Sequence, residues 1–181
     1  MTEQFVKEDE RAWFALYTKP RSEFKAELQL KSSGIETYLP SIRKVSVWSD
    51  RTKKIRSIII PSYIFVYTTL KERSLALQQP SIVRCLYEHG RPARIPEWEI
   101  ENLRNFLNKG EKFIVMNGLV KGAKVRITEG PFAEVTGIIV EESNQKSFAV
   151  AIELLNRTII THFPDGSMFE VLSRPEETLI I

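Results

Sequence analysis

Trp13-Phe14-Ala15-Leu16-Tyr17-Thr18-Lys19-Pro20-Arg21 is the stretch on which the fold of the first half of the chain turns. Its run of apolar and aromatic residues is β-prone and reads as a buried strand. Lys19-Pro20 stops it, because proline offers the ladder no donor and drives the residue before it toward extended geometry. Ser22 then reads as the N-cap of a helix carrying Phe24, Ala26, Leu28 and Leu30, and Gly34 suits its C′ end.

Outward from there, residues 35–39 and 45–48 read as short strands. Ser49-Asp50-Arg51 makes the basic tip of a hairpin whose second strand spans residues 55–60. After Pro61, residues 63–67 form an apolar run fit for a central strand. Residues 71–79 read as a short helix anchored by Leu75, residues 82–87 as a strand, and residues 97–109 as a helix carrying Trp98, Leu103, Phe106 and Leu107. Strands and helices in this order predict an α+β sandwich with helices against a mostly antiparallel sheet. Beyond residue 120 the pattern changes. Glycine and turn signals alternate with short strands at 124–127, 137–140, 148–152 and 157–160, as in a small all-β barrel. The expected division is therefore a tail at 1–11, an α+β domain at 12–110, a linker at 111–119, a barrel at 120–175 and a tail at 176–181.

The net charge of +3 hides an asymmetry. Residues 1–110 hold 19 Lys and Arg against 13 Asp and Glu, whereas residues 111–181 hold 7 against 10. A basic front and an acidic back predict two modules with different partners. One cysteine, Cys85, allows no internal disulfide, the apolar runs are too short to span a bilayer, and the first residues lack the apolar centre of a secretory signal. A cytoplasmic protein is expected. Neither a phosphate loop nor a Ser/His/Asp set can be assembled, and His89 and His162 suit loop and structural positions, so no enzyme, metal or cofactor is expected.

Two sets of residues carry a family resemblance. Lys121-Gly122-Ala123-Lys124-Val125-Arg126-Ile127, then Gly130-Pro131-Phe132-Ala133-Glu134, then Gly137-Ile138-Ile139, resembles the KOW motif of small SH3-like barrels. Glu134 stands where that motif more often has glycine. The opening stretch, with Tyr38-Leu39-Pro40, Ile60-Pro61-Ser62-Tyr63-Ile64-Phe65-Val66 and Arg91-Pro92-Ala93-Arg94-Ile95-Pro96, resembles the NusG N-terminal domain (NGN). Ser62 replaces the glycine of the usual Phe-Pro-Gly-Tyr. Together the motifs resemble a specialised NusG paralog of the RfaH or UpxY type.

The resemblance implies a transcription elongation and antitermination factor, monomeric, that rides on bacterial RNA polymerase at the clamp helices and serves a subset of operons such as polysaccharide clusters. It implies polymerase contacts at Tyr63, Ile60, Phe14 and Tyr17, with Ser74 near a helix start facing the opposite jaw. It places Lys19 and Arg21 toward non-template DNA, and Arg51, Lys53 and Lys54 of the hairpin toward upstream DNA. The barrel, through Phe132 and Glu134, would meet Rho or a ribosomal small-subunit protein. Other readings stand beside these: Trp13, Tyr17 and Phe65 suit a sheet core, the basic turns suit solvated surface, and Phe132 suits the barrel interior. A housekeeping NusG supporting Rho, or a KOW RNA-binding protein without polymerase contact, are the alternative functions. The β-branched runs favour a stable barrel over a refolding one.

Overall fold

The computed structural model describes residues 9–48, 51–110, 112–142 and 145–174, with side chains described except at 45–48, 51–54, 142 and 145. Within them, residues up to Ser41 with Arg56–Ile100 form one compact unit, and Ile42–Ile55 with the chain from Glu101 onward form a second. This grouping differs from the expected division in the helix Glu97–Lys109 and in the basic hairpin. No helix among the described residues is long and apolar enough to cross a membrane.

The first unit opens with strand β1 (Ala12–Thr18) and helix α1 (Glu23–Ser32). Helix α1 ends as glycine allows. Gly34 has φ +74, its N–H donates to Lys31 O at 3.0 Å, and the Ile35 N–H donates to Leu30 O at 3.0 Å, a Schellman motif. Strand β2 (Glu36–Tyr38) follows, then the hairpin of β3 (Ser41–Trp48) and β4 (Arg51–Ile58), and strand β5 (Tyr63–Thr68). Helix α2 (Leu70–Leu77) starts on a capping box: the Thr69 hydroxyl accepts the Glu72 N–H at 3.2 Å while the Glu72 carboxylate accepts the Thr69 N–H at 2.9 Å. Short strands β6 (Ile82–Cys85), β7 (Tyr87–Glu88), β8 (Arg91–Pro92) and β9 (Arg94–Ile95) lead to α3 (Glu97–Lys109).

The sheet runs β2-β5-β1-β6, with β9 also on β1, and all its pairings are antiparallel. Phe14, Leu16, Ile64 and Val66 face one core with Ala26 and Leu30 of α1 and Ala76 of α2. The alternate residues Trp13, Ala15 and Phe65 are buried too, which is why these strands read as unbroken apolar runs. Leu75, expected to anchor α2, is 52% exposed. The helix instead buries Ala76, with Leu70 and Leu77 packed partly against the core, since a two-turn helix has room for one narrow stripe. Phe24 and Leu28 are likewise exposed, because α1 turns Glu23, Ala26, Glu27 and Leu30 inward. Trp98 is exposed off the Ile100–Leu103–Phe106–Leu107 stripe of α3.

The second unit holds β10 (Ile114–Asn117), β11 (Ala123–Glu129), β12 (Thr136–Glu142), β13 (Gln145–Ile152) and β14 (Arg157–His162), with β15 (Met168–Ser173) last. Their antiparallel order is β10-β14-β13-β12-β11-β15. Much of the expected linker is therefore strand: β10 pairs with β14 from Ile114↔Ile160 to Asn117↔Arg157, because β-prone residues beside an open ladder add to it. A Cβ on Gly137 would lie 2.5 Å from the Ala149 carbonyl oxygen and from the Phe148 ring, so this strand start admits only glycine without a shift. Phe106 of α3 packs in this unit against Phe113, Phe132 and Phe148, at centroid distances of 4.9, 5.2 and 5.7 Å. Asn102 adds a pair of 2.7 Å hydrogen bonds to the Thr136 backbone, and these contacts tie the later turns of α3 to the strands.

Candidate functional site

One end of the first unit's sheet gathers four of the residues singled out above: Tyr17, Tyr63, Lys19 and Arg21. The turn after β1 closes when the Ser22 N–H donates to Lys19 O at 3.1 Å, with Pro20 leading and Arg21 at φ 59. The turn before β5 has Pro61 leading and Ser62 at φ 66. Proline presets the first corner of each, and the second residue takes the left-handed conformation that favours glycine. The turns are neighbours: Thr18 N–H donates to Ser62 O at 2.9 Å, and Lys19 N–H to Ser81 O at 2.9 Å.

The cross-strand register then builds a row. Tyr17 faces Tyr63 on one side and Arg84 on the other. The tyrosine rings meet edge to face at 5.3 Å and 74°, and the Arg84 guanidinium lies 5.7 Å from the Tyr17 ring centroid. Both tyrosines are half-buried, and Arg84, Lys19 and Arg21 are exposed. Among the described residues none of these three cations makes an ion pair. The end of the sheet is an aromatic ledge fringed by uncompensated positive charge, able to take an apolar side chain beside an anion.

Helix α1 turns two acids inward, Glu23 and Glu27. The Glu23 carboxylate accepts the Ser62 N–H at 2.8 Å. Glu27 binds Arg56 of β4 at 2.5 and 3.1 Å and Lys31 at 2.9 Å. Burial pushes the Glu27 pKa up, but the hydrogen bonds and charges of Arg56 and Lys31 outweigh it and hold the carboxyl below its ordinary value. Arg56 also stacks over the exposed Phe24 ring at 5.4 Å.

Other expected contact residues sit elsewhere. Phe14 and Ile60 are each 1% exposed, so neither has surface to offer a partner, and Phe14 packs in the core that α1 and α2 cover. Ser74 is exposed but lies a turn inside α2, which starts at Leu70, and its hydroxyl donates to the Leu70 carbonyl at 3.2 Å. The side chains of Arg51, Lys53 and Lys54 lie outside the described residues. Phe132 is 4% exposed among Phe106 and Phe148, so its turn presents Glu134 and not a ring. Glu134 is exposed at φ 70, with Arg126 3.9 Å away. Arg84 and Glu23 were missed by sequence reasoning: nothing local marks them, and only strand register and the turn contact do.

The family model described as "Transcription termination factor nusG" matches residues 11–104, just over half of the chain. The chain belongs to the NusG family. The transcription termination/antitermination protein NusG of Escherichia coli K12 is 27% identical over 128 residues, covering 67% of this chain and 70% of that protein. NusG of Buchnera aphidicola is 27% identical over 129 residues, covering 68% and 71%. The solved structure "Domain interaction in Thermotoga maritima NusG" aligns with a TM-score of 0.46 and 18% identity, over 84% of this chain and 94% of that one. Set against the NusG pattern, Ser62 and Glu134 gain a physical reading. At both positions, where the NusG and KOW resemblances respectively imply glycine, the backbone holds the positive φ that glycine would supply without strain.

Proposed function

We propose that this NusG-family transcription factor binds the clamp helices of bacterial RNA polymerase through the Tyr63–Tyr17–Arg84 row and promotes processive elongation and antitermination. The row is the observation that carries the reading: two half-buried tyrosine rings in edge-to-face contact beside Lys19 and Arg21. Aromatic anchors of this kind carry most of the energy when a helix tip is captured. Lys19 and Arg21, within one turn of the ledge, attract the phosphates of the exposed non-template strand by charge, without reading its sequence. The replacement of glycine by Ser62 supports a specialised paralog serving a subset of operons, of the polysaccharide-cluster kind, acting as a cytoplasmic monomer. The second unit would recruit a further partner through its exposed turn at Glu134.

A pull-down with core polymerase tests the first part. The wild-type chain is expected to retain the enzyme, and Tyr63→Ala to weaken retention by about tenfold or more. A wild-type chain that retains none would refute the reading. Sequencing nascent transcripts with and without the protein then reads the operon subset, and stimulation of Rho in a purified termination assay would mark a housekeeping factor instead.

A further inference from the structure

Glu23 is a carboxylate 5% exposed, and among the described residues it makes no ion pair. Its hydrogen-bond partner among the described residues is a backbone amide, that of Ser62, at 2.8 Å. Burying a carboxylate is costly, so a buried one held by a neutral donor needs a local reason.

The reason lies in the conformation of Ser62. A serine at φ 66 is strained, and such a residue persists only where its surroundings over-determine it. Here both of its polar backbone atoms are held: the carbonyl by Thr18 N–H at 2.9 Å and the N–H by Glu23. The next residue is Tyr63, whose ring must meet Tyr17 at 5.3 Å. Glu23 itself follows directly on the turn that carries Lys19 and Arg21. One side chain thus ties the cationic turn to the tyrosine turn.

We propose that Glu23 is a positioning residue, whose carboxylate locks the left-handed Ser62 and so sets the aim of Tyr63 against Tyr17 beside Lys19 and Arg21. The affinity arm of the test rests on the polymerase-docking reading; the structural arm does not.

The test uses the full chain as Glu23→Ala, Glu23→Gln and the double variant Glu23→Ala/Ser62→Gly. Amide exchange at Ser62 and the cross-peak between the Tyr17 and Tyr63 rings are followed by NMR, alongside affinity for core polymerase. Glu23→Ala is expected to speed Ser62 exchange by about tenfold, weaken the ring cross-peak and lower affinity by about tenfold, with exchange in the rest of α1 unchanged. Glu23→Gln keeps an acceptor oxygen and should stay within about twofold of wild type on all readouts. Ser62→Gly should restore the ring contact and the affinity to Glu23→Ala, because glycine takes this φ unaided. A general loss of helix stability would not be rescued at residue 62. Unchanged exchange and ring contact in Glu23→Ala, or a loss that Ser62→Gly does not repair, overturns the proposal. Should Glu23→Ala fail to fold, recovery of folding by Ser62→Gly supports it and absence of recovery overturns it. If the wild-type chain binds no polymerase, the docking reading falls while exchange and ring contact still decide the role of Glu23.

Discussion

Truncating Phe132 separates a core role from a contact role. Its ring is 4% exposed, 5.2 Å from Phe106 and 5.7 Å from Phe148. Burying a phenylalanine contributes about 1.5–3 kcal/mol by transfer from water. Each aromatic pair adds about 0.5–1.5 kcal/mol, and Phe132→Ala loses both. The vacated space adds a cavity term, because the two remaining rings are fixed by Phe113 and Phe163 and close in only partly. Transfer and the two pairs together span about 2.5–6 kcal/mol, a span that brackets the loss of about 3–5 kcal/mol known for buried Phe→Ala changes. In a unit of this size each kcal/mol moves the midpoint by about 4–8 °C, so the second unit's transition should drop by at least about 12 °C. Calorimetry of the full chain reads this directly. A Phe132→Ala chain with an unchanged transition and weakened partner binding would refute the packing argument and return Phe132 to the surface.

Two further outcomes are expected. Glu134 pays for its φ of 70 with about 1–2 kcal/mol of left-handed strain, set against an exposed pairing with Arg126 worth about 0–1 kcal/mol. Glycine also loses about 0.5–1 kcal/mol of extra chain freedom on folding, so Glu134→Gly should stabilise by up to about 1 kcal/mol while Glu134→Ala does not; urea titrations yielding the reverse order would contradict the strain. For Glu27, the folded pKa lies below its unfolded value, so its stabilisation is complete above the unfolded pKa and fades as pH falls through the folded one. The stability gap between wild type and Glu27→Gln should therefore be widest near neutral pH and shrink below about pH 5; a gap that is flat down to pH 3 would rule out the ion pair as its source.

Some of this protein was legible along the chain because the relevant physics is local. Proline and glycine punctuate: Pro20, Pro61, Gly34 and Gly130 all sit in turns or caps that match their backbone preferences. The apolar runs at β1 and β5 mark strands covered on both faces, and the Gly130–Gly137 spacing marks the turn and the crowded strand start after it. Periodicity was less reliable where helices were short or where acids took inward positions. In α1, Glu23 and Glu27 occupy places that hydrophobic spacing assigns to Phe24 and Leu28.

By itself the sequence determined the two-part α+β and all-β organisation, the antiparallel strand content and the NusG motifs, since these depend on residue type and spacing within a few positions. Only the tertiary structure decided which apolar and aromatic residues have a surface. Phe14, Ile60 and Phe132 disappear into cores, whereas Tyr17 and Tyr63 stay half open and acquire Arg84 as a neighbour. Register pairs residues that lie 46 positions apart in the case of Tyr17 and Tyr63, and 67 apart for Tyr17 and Arg84. The aromatic row is a product of that pairing, and one buried carboxylate reaches across 39 positions to accept the N–H of the turn before Tyr63.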